Sequence, residues 1–206
     1  LVLSKPLIDF LSDSSRLNSV LDRLGYEACF QGYDSSGEGI PRSKVLAILE
    51  GREFLGTLSL SQEFLDYIDH SSGLLVGLGN KPNRTSSYSF PHRSIQEYFA
   101  GCFLVDQPDI MPTLLVCAKE GSHWNSIVQI GFEELYFNRH NNKILFDLAD
   151  QLSLFISSDV KQTQRVQLWA GQIAALVNKE IKVQGSEPLN YKLPNLALIR
   201  NQLVNS

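Results

Sequence analysis

The chain has 206 residues, 43% of them hydrophobic, with 18 Lys or Arg against 22 Asp or Glu and a formal charge of -4. That length can bury a core of its own and holds one large domain or two small ones. Residues 1–100 carry 9 basic and 12 acidic side chains and the remainder 9 and 10, so neither half clusters the cations that a nucleic-acid backbone demands, and no nucleic acid is expected.

Residues 1–11 are apolar around Pro6 and read as the end of a preceding element. Ser14 or Ser15 is placed to cap a helix with Leu17, Val20, Leu21, Leu24 and Ala28 on one stripe, ending near Phe30. In the loop 31–39, Gly37 and Gly39 lack the Lys-Ser or Lys-Thr of a phosphate loop. Pro41 opens a second helix through Val45, Leu46 and Leu49, stopping around Gly51 to Gly56. Ser59 and Gln62 have the spacing of a capping box, predicting a third helix with Phe64, Leu65 and Ile68 that stops at Ser71-Ser72-Gly73.

The period then changes to that of a hairpin. Leu74–Val76 reads as a strand, 77–85 as a turn with Asn80, Pro82 and Asn83, and Tyr88 and Phe90 alternate on the return strand. Helices followed by a two-stranded hairpin is the order of a winged helix. The third helix, however, holds Glu63, Asp66 and Asp69 with no Lys or Arg from Gln62 to His70, the wrong charge for a DNA-reading helix.

The run from Ser89 to Ala100 is the most informative. Ser94 and Glu97 give a second capping-box spacing, so a helix is predicted from Ser94 with Ile95, Tyr98, Phe99, Cys102 and Phe103 on one buried stripe. His92 and Arg93 precede that helix start, where unpaired amides and the helix dipole favour an anion such as phosphate. The plainer alternatives are a junction histidine bonded to a nearby carbonyl and a solvated arginine.

From Pro108 onward only helical patterns appear: 108–118, a helix capped by Ser122 with Trp124, Ile127, Val128 and Leu135, one over 143–155, one over 164–177, and a last one from Pro194 with Leu196, Ile199 and Leu203. The class is mainly α with a small hairpin, and the paired helices suggest a HEAT-like solenoid without a clear repeat. No apolar run approaches the ~18–20 residues that span a bilayer, so no membrane is expected. Cys29, Cys102 and Cys117 lack C-x-x-C spacing and read as reduced, buried thiols. Asn83-Arg84-Thr85 matches a glycosylation pattern but has no signal segment to support it, and the opening Leu1-Val2-Leu3 reads as the start of a piece of a longer polypeptide.

The string Phe90-Pro91-His92-Arg93-Ser94-Ile95-Gln96-Glu97-Tyr98-Phe99-Ala100, preceded by Ser72-Gly73-Leu74-Leu75, resembles the C-terminal half of NACHT-type STAND nucleotide-triphosphatases, which include NOD-like receptors and bacterial antiphage sensors. The likeness covers Ser15 to Val105 and is looser over Trp124 and Leu168 to Leu176. It implies a winged-helix domain over 1–105 and an α-helical, HEAT-like domain over 106–206. It also implies a cytoplasmic signalling ATPase in innate immune or antiviral defence, in which this part is the regulatory lid. By that resemblance His92 contacts the β-phosphate of ADP in the resting state, Arg93 adds a weak second contact, and Phe90, Ser94, Gln96, Glu97, Tyr98 and Phe99 form the structural motif. The implied partner is the NACHT nucleotide-binding domain of the same polypeptide; exchange of ADP for ATP with Mg would release the lid and allow self-oligomerisation. No G-x-x-x-x-G-K-[ST] stretch is present, so no catalytic residue or metal ligand is assigned, no enzyme activity is expected of this chain alone, and tight nucleotide binding is not expected of it. Two other readings remain: a stand-alone winged-helix module that binds nucleic acid or protein, and a hydrolase using His92 with Glu97 or Asp109.

Overall fold

Helix boundaries fall where a side chain can satisfy the first free amides, and here acidic and threonine caps set several of them. The computed structural model describes residues 3–31, 39–79 and 86–183. Ser4 accepts the amide of Leu7 and starts helix α1 (Lys5–Ser12). Helix α2 (Ser14–Gln31) is capped neither by Ser14 nor by Ser15, because Asp13 Oδ1 accepts the amides of Ser15 and Arg16, both at 3.1 Å. A carboxylate meets two amides and also favours the positive end of the helix dipole, so it outcompetes the neighbouring hydroxyls.

Strand β1 (Ile40–Pro41) leads directly into helix α3 (Arg42–Leu49). Thr57 then displaces the expected Ser59–Gln62 box: its hydroxyl accepts the Leu60 amide, and helix α4 covers Leu58–Tyr67. α4 widens into a π-helical turn, Ile68–Ser72, closed by Gly73 at φ 62°, a left-handed conformation that costs glycine nothing sterically.

Strands β2 (Val76–Leu78) and β3 (Ser87–Ser89) follow, and the sheet order is β1-β3-β2 with both pairings antiparallel. Ile40 lies opposite Tyr88, and Gly77 faces Tyr88 from the other side. The first hairpin strand therefore starts two residues later than its hydrophobicity suggested. Leu75 is fully buried in the helical core, whereas Val76 lies on the sheet and is 39% exposed. Asp69 Oδ1 accepts the Gly77 amide at 3.0 Å and ties the strand to the π-helical turn. Helix α5 (Arg93–Val105) comes next.

The chain divides into two compact units, Leu1–Phe103 and Leu104–Ser206. In the first, one cluster gathers Leu7, Phe10, Leu24, Leu49, Phe64, Leu75 and Tyr88, with Phe10 edge-on to Phe64 at 5.7 Å. Burying a side chain of this size contributes about 1.5–3 kcal/mol. The Glu63 carboxylate accepts both the backbone amide (2.6 Å) and the hydroxyl (2.7 Å) of Ser4, fastening α1 to α4.

The second unit contains helices α6 (Ile110–Glu120), α7 (Trp124–Glu133, continued by a π-helical turn over Glu134–Asn138), α8 (Asn142–Ser153) and α9 (Val160–Val183). Asp109 caps α6 and Asn141 caps α8, while the N-cap of α7 is His123 and not Ser122. Asp159 accepts the amides of Lys161 and Gln162, which explains why α9 begins four residues before the predicted Gln164. α9 packs against α6, α7 and α8. Trp124 and Trp169 are fully buried, and Trp169 Nε1 donates to Asn125 Oδ1 at 2.9 Å. The described residues are thus mainly helical with one small three-stranded sheet. The expected turn at Asn80, Pro82 and Asn83, the glycosylation pattern at Asn83, the loop glycine Gly37 and the final helix from Pro194 lie outside the described residues.

Candidate functional site

Phe90 directly follows β3 with only 6% exposure, its ring 5.7 Å from that of Phe99. Pro91 and His92 then turn the chain into α5. The carbonyl of His92 accepts the amides of Ile95 (3.1 Å) and Gln96 (3.2 Å), and taking the first i+4 bond makes His92 the N-cap. Ser94 consequently sits inside the first helical turn, and the Ser94–Glu97 capping box is not the arrangement found. Arg93 explains the change. Its Nε donates to Glu97 Oε1 at 2.8 Å, an i,i+4 pair that takes the carboxylate away from the backbone.

The eleven-residue string separates into two sets. One set docks α5 on α2: Gln96 Nε2 donates to Cys29 Sγ at 3.4 Å, Ala100 is fully buried, and Phe99 joins the core cluster. The contact is tight at Gly25, where an added Cβ would lie 2.6 Å from Phe99 Cβ and 3.0 Å from both the Ala100 nitrogen and the Gln96 carbonyl oxygen. Tyr26 stacks at 4.4 Å on Phe103, and Arg23 lies 5.1 Å above the same ring. The other set faces outward: His92, Arg93 and Ser94 are exposed, and Tyr98 is 43% exposed. Tyr98 therefore leaves the predicted buried stripe, because a stripe centred on Gln96, Phe99 and Ala100 puts position 98 at its edge.

Electrostatics follow from this geometry. Burial pushes the Cys29 thiol up to about 11, opposed in part by the Gln96 hydrogen bond, so it stays protonated at neutral pH and is a poor nucleophile. Cys29, Cys102 and Cys117 are all buried and in no disulfide. Glu27 pairs with Lys44 at 3.3 Å and Arg23 at 3.6 Å, linking α2 to α3. The carboxylates named for an acid–base role are otherwise engaged, Glu97 by Arg93 and Asp109 by the amide of Met111 at 3.3 Å.

What remains accessible is an imidazole on the N-cap of a 13-residue helix, at the positive end of the helix dipole. Such a position favours an anion. Among the described residues no three His, Cys, Asp or Glu side chains gather as metal ligands, and no helix is long and apolar enough to cross a membrane. The reading from sequence missed Gly25 and the Arg93–Glu97 pair. Both had a signal: a glycine within a helical pattern costs about 1 kcal/mol against alanine and marks a close approach, and an opposite-charge i,i+4 spacing is visible without coordinates. Comparison with protein-family models, with curated proteins and with solved structures finds no match to this chain.

Proposed function

We propose that the first unit is the winged-helix lid of a NACHT-type STAND nucleotide-triphosphatase and that the second begins its HEAT-like sensing region. The observation that carries this reading is the exposed His92 on the N-cap of α5, directly after a sheet of order β1-β3-β2. A short strand ahead of two helices, paired with the return strand of a following hairpin, is the winged-helix arrangement, and it supports the finer fold assignment. Exposed Asp66 on α4 and the absence of Lys and Arg from Gln62 to His70 speak against a duplex as the partner.

In this proposal the lid closes over a nucleotide-binding domain of the same polypeptide while ADP is bound. The imidazole donates a hydrogen bond to the terminal phosphate, and the amides at the start of α5 add the favourable field of a helix N-terminus. Arg93, already held by Glu97, is a secondary contact at most. Exchange for ATP with Mg removes the differential contact, the lid opens and the protein self-associates, a two-state switch biased by one ligand. A hydrogen bond to a charged group contributes about 1.5–3 kcal/mol, which corresponds to roughly a 10- to 150-fold change in ADP retention. The test is ADP occupancy after gel filtration of the protein that joins this chain to its nucleotide-binding domain. His92→Ala is expected to lose ADP and raise basal self-association; unchanged occupancy would overturn the reading.

A further inference from the structure

A cleft of about 240 Å³ lies between α7 and α9, lined by Gln129, Phe132, Glu133, Gln172, Ala175 and Leu176. Buried Phe132 and Leu176 give it an apolar floor, while Gln129 and Ala175 are exposed at its rim. Clefts that hold drug-sized ligands measure ~300–1,000 Å³, so this one takes a body about the size of a single ring. Each helix contributes an acceptor. On α7, Glu133 Oε1 accepts from Gln129 Nε2 at 2.9 Å, and among the described residues no Lys, Arg or His forms an ion pair with this carboxylate. On α9, Gln172 Oε1 is buried and has no hydrogen-bond partner among the described residues, a costly arrangement for a carbonyl oxygen. With no bond to lose, it can be turned towards a donor in the cleft by rotation about the broad terminal torsion of the Gln172 amide.

We infer that this cleft binds a small organic cation, an amidinium, guanidinium or primary ammonium carried on an apolar ring or short chain. The floor of Phe132 and Leu176 takes the hydrocarbon body. The Glu133 carboxylate takes the positive charge, and a charge-assisted hydrogen bond is about twice as strong as a neutral one. Cations of this class carry several N–H groups pointing in different directions, so one molecule can donate to Glu133 and to Gln172 Oε1 together. The alternatives each leave something unmatched. An anion meets the Glu133 carboxylate, and a wholly apolar molecule leaves Gln172 Oε1 without a donor. A protein partner fits less well, because docking surfaces gather apolar side chains around their anchor pocket, and none of the exposed large hydrophobic residues among those described lines this cleft.

Ring compounds of one shape and different charge test this assignment on the full 206-residue chain. Benzamidine (cationic), benzamide (neutral) and benzoate (anionic) would each be titrated into the protein and followed by amide proton–nitrogen NMR, read at the backbone amides of Phe132 and Ala175 and the side-chain amide of Gln172. Benzamidine is expected to bind with a Kd on the order of 1 mM, roughly 10-fold or more tighter than benzamide, and benzoate is expected to cause no shifts there. Glu133→Gln, which keeps an acceptor for Gln129 and removes the charge, is expected to bring benzamidine to the affinity of benzamide. Ala175→Phe, at an exposed position, is expected to fill the rim and abolish the shifts. No benzamidine shifts in the wild type, equal affinity for benzamidine and benzoate, a benzamidine affinity that survives Glu133→Gln, or shifts confined to residues away from the cleft would each overturn the inference.

Discussion

At Gly25 the backbone of α5 lies close against α2, and Gly25→Val tests whether that approach holds the first unit together. The new Cβ would stand 2.6 Å from Phe99 Cβ and 3.0 Å from two backbone atoms of α5. Carbon atoms settle at ~3.5–4.0 Å, so about 1 Å of overlap must be relieved, and backbone atoms cannot rotate aside as a side-chain end does. α5 has to move away from α2, loosening Phe99, Ala100 and the Gln96–Cys29 contact together. Overpacking of this kind costs about 1–3 kcal/mol, while replacing a helical glycine by valine returns only about 0.3 kcal/mol of propensity. The expected net loss is ~2 kcal/mol, or roughly 8–16 °C in Tm for a unit of about 100 residues. Thermal unfolding followed by circular dichroism reads it. A Tm equal to or above that of the wild type would refute the close packing of α5 on Gly25.

The caps give a paired prediction: Thr57→Ala should cost about 1 kcal/mol in urea unfolding, whereas Ser94→Ala should change stability by no more than about 0.3 kcal/mol. Equal losses would show that Ser94 caps α5 after all. Glu63 is held below the usual carboxylate range by the backbone amide and then the hydroxyl of Ser4. A depressed folded-state value means that its contribution is present above the unfolded-state pKa and is lost as pH falls through the folded-state one. Wild type should therefore lose stability over that acid window more than Glu63→Gln does, and parallel pH profiles would contradict this. Cys29 should resist iodoacetamide at pH 8 in the native protein and react on denaturation, since burial holds its thiol at about 11; mass spectrometry of the labelled peptide decides it.

Sequence periodicity carried the long helices. α2, α3, α5 and α6 to α9 each present an apolar stripe several turns long, and the change to alternation after Gly73 announced the hairpin. What it could not carry were features too short or too non-local to have a period. β1 has two residues and exists because Ile40 and Pro41 meet β3 some fifty residues later. Boundaries shifted wherever a stronger cap stood upstream, one or two residues away at Asp13 and Thr57 and five at Asp159. The place of His92 at the junction before α5 was legible, because every residue of the α5 stripe follows it. The fate of Glu97 was not, because two local rules competed: the capping box and the ion pair to Arg93 use the same carboxylate, and the sequence does not rank them.

The central claim is a hydrogen bond between one imidazole and the β-phosphate of a bound nucleotide, and comparing ADP with AMP isolates it. Dissociation rates of both nucleotides would be measured on the polypeptide containing the nucleotide-binding domain and this chain, as wild type and as His92→Ala. The account predicts that the substitution speeds ADP release by roughly 10-fold or more and leaves AMP release unchanged, because AMP has no β-phosphate to lose. An equal effect on both nucleotides, or none on either, would contradict it.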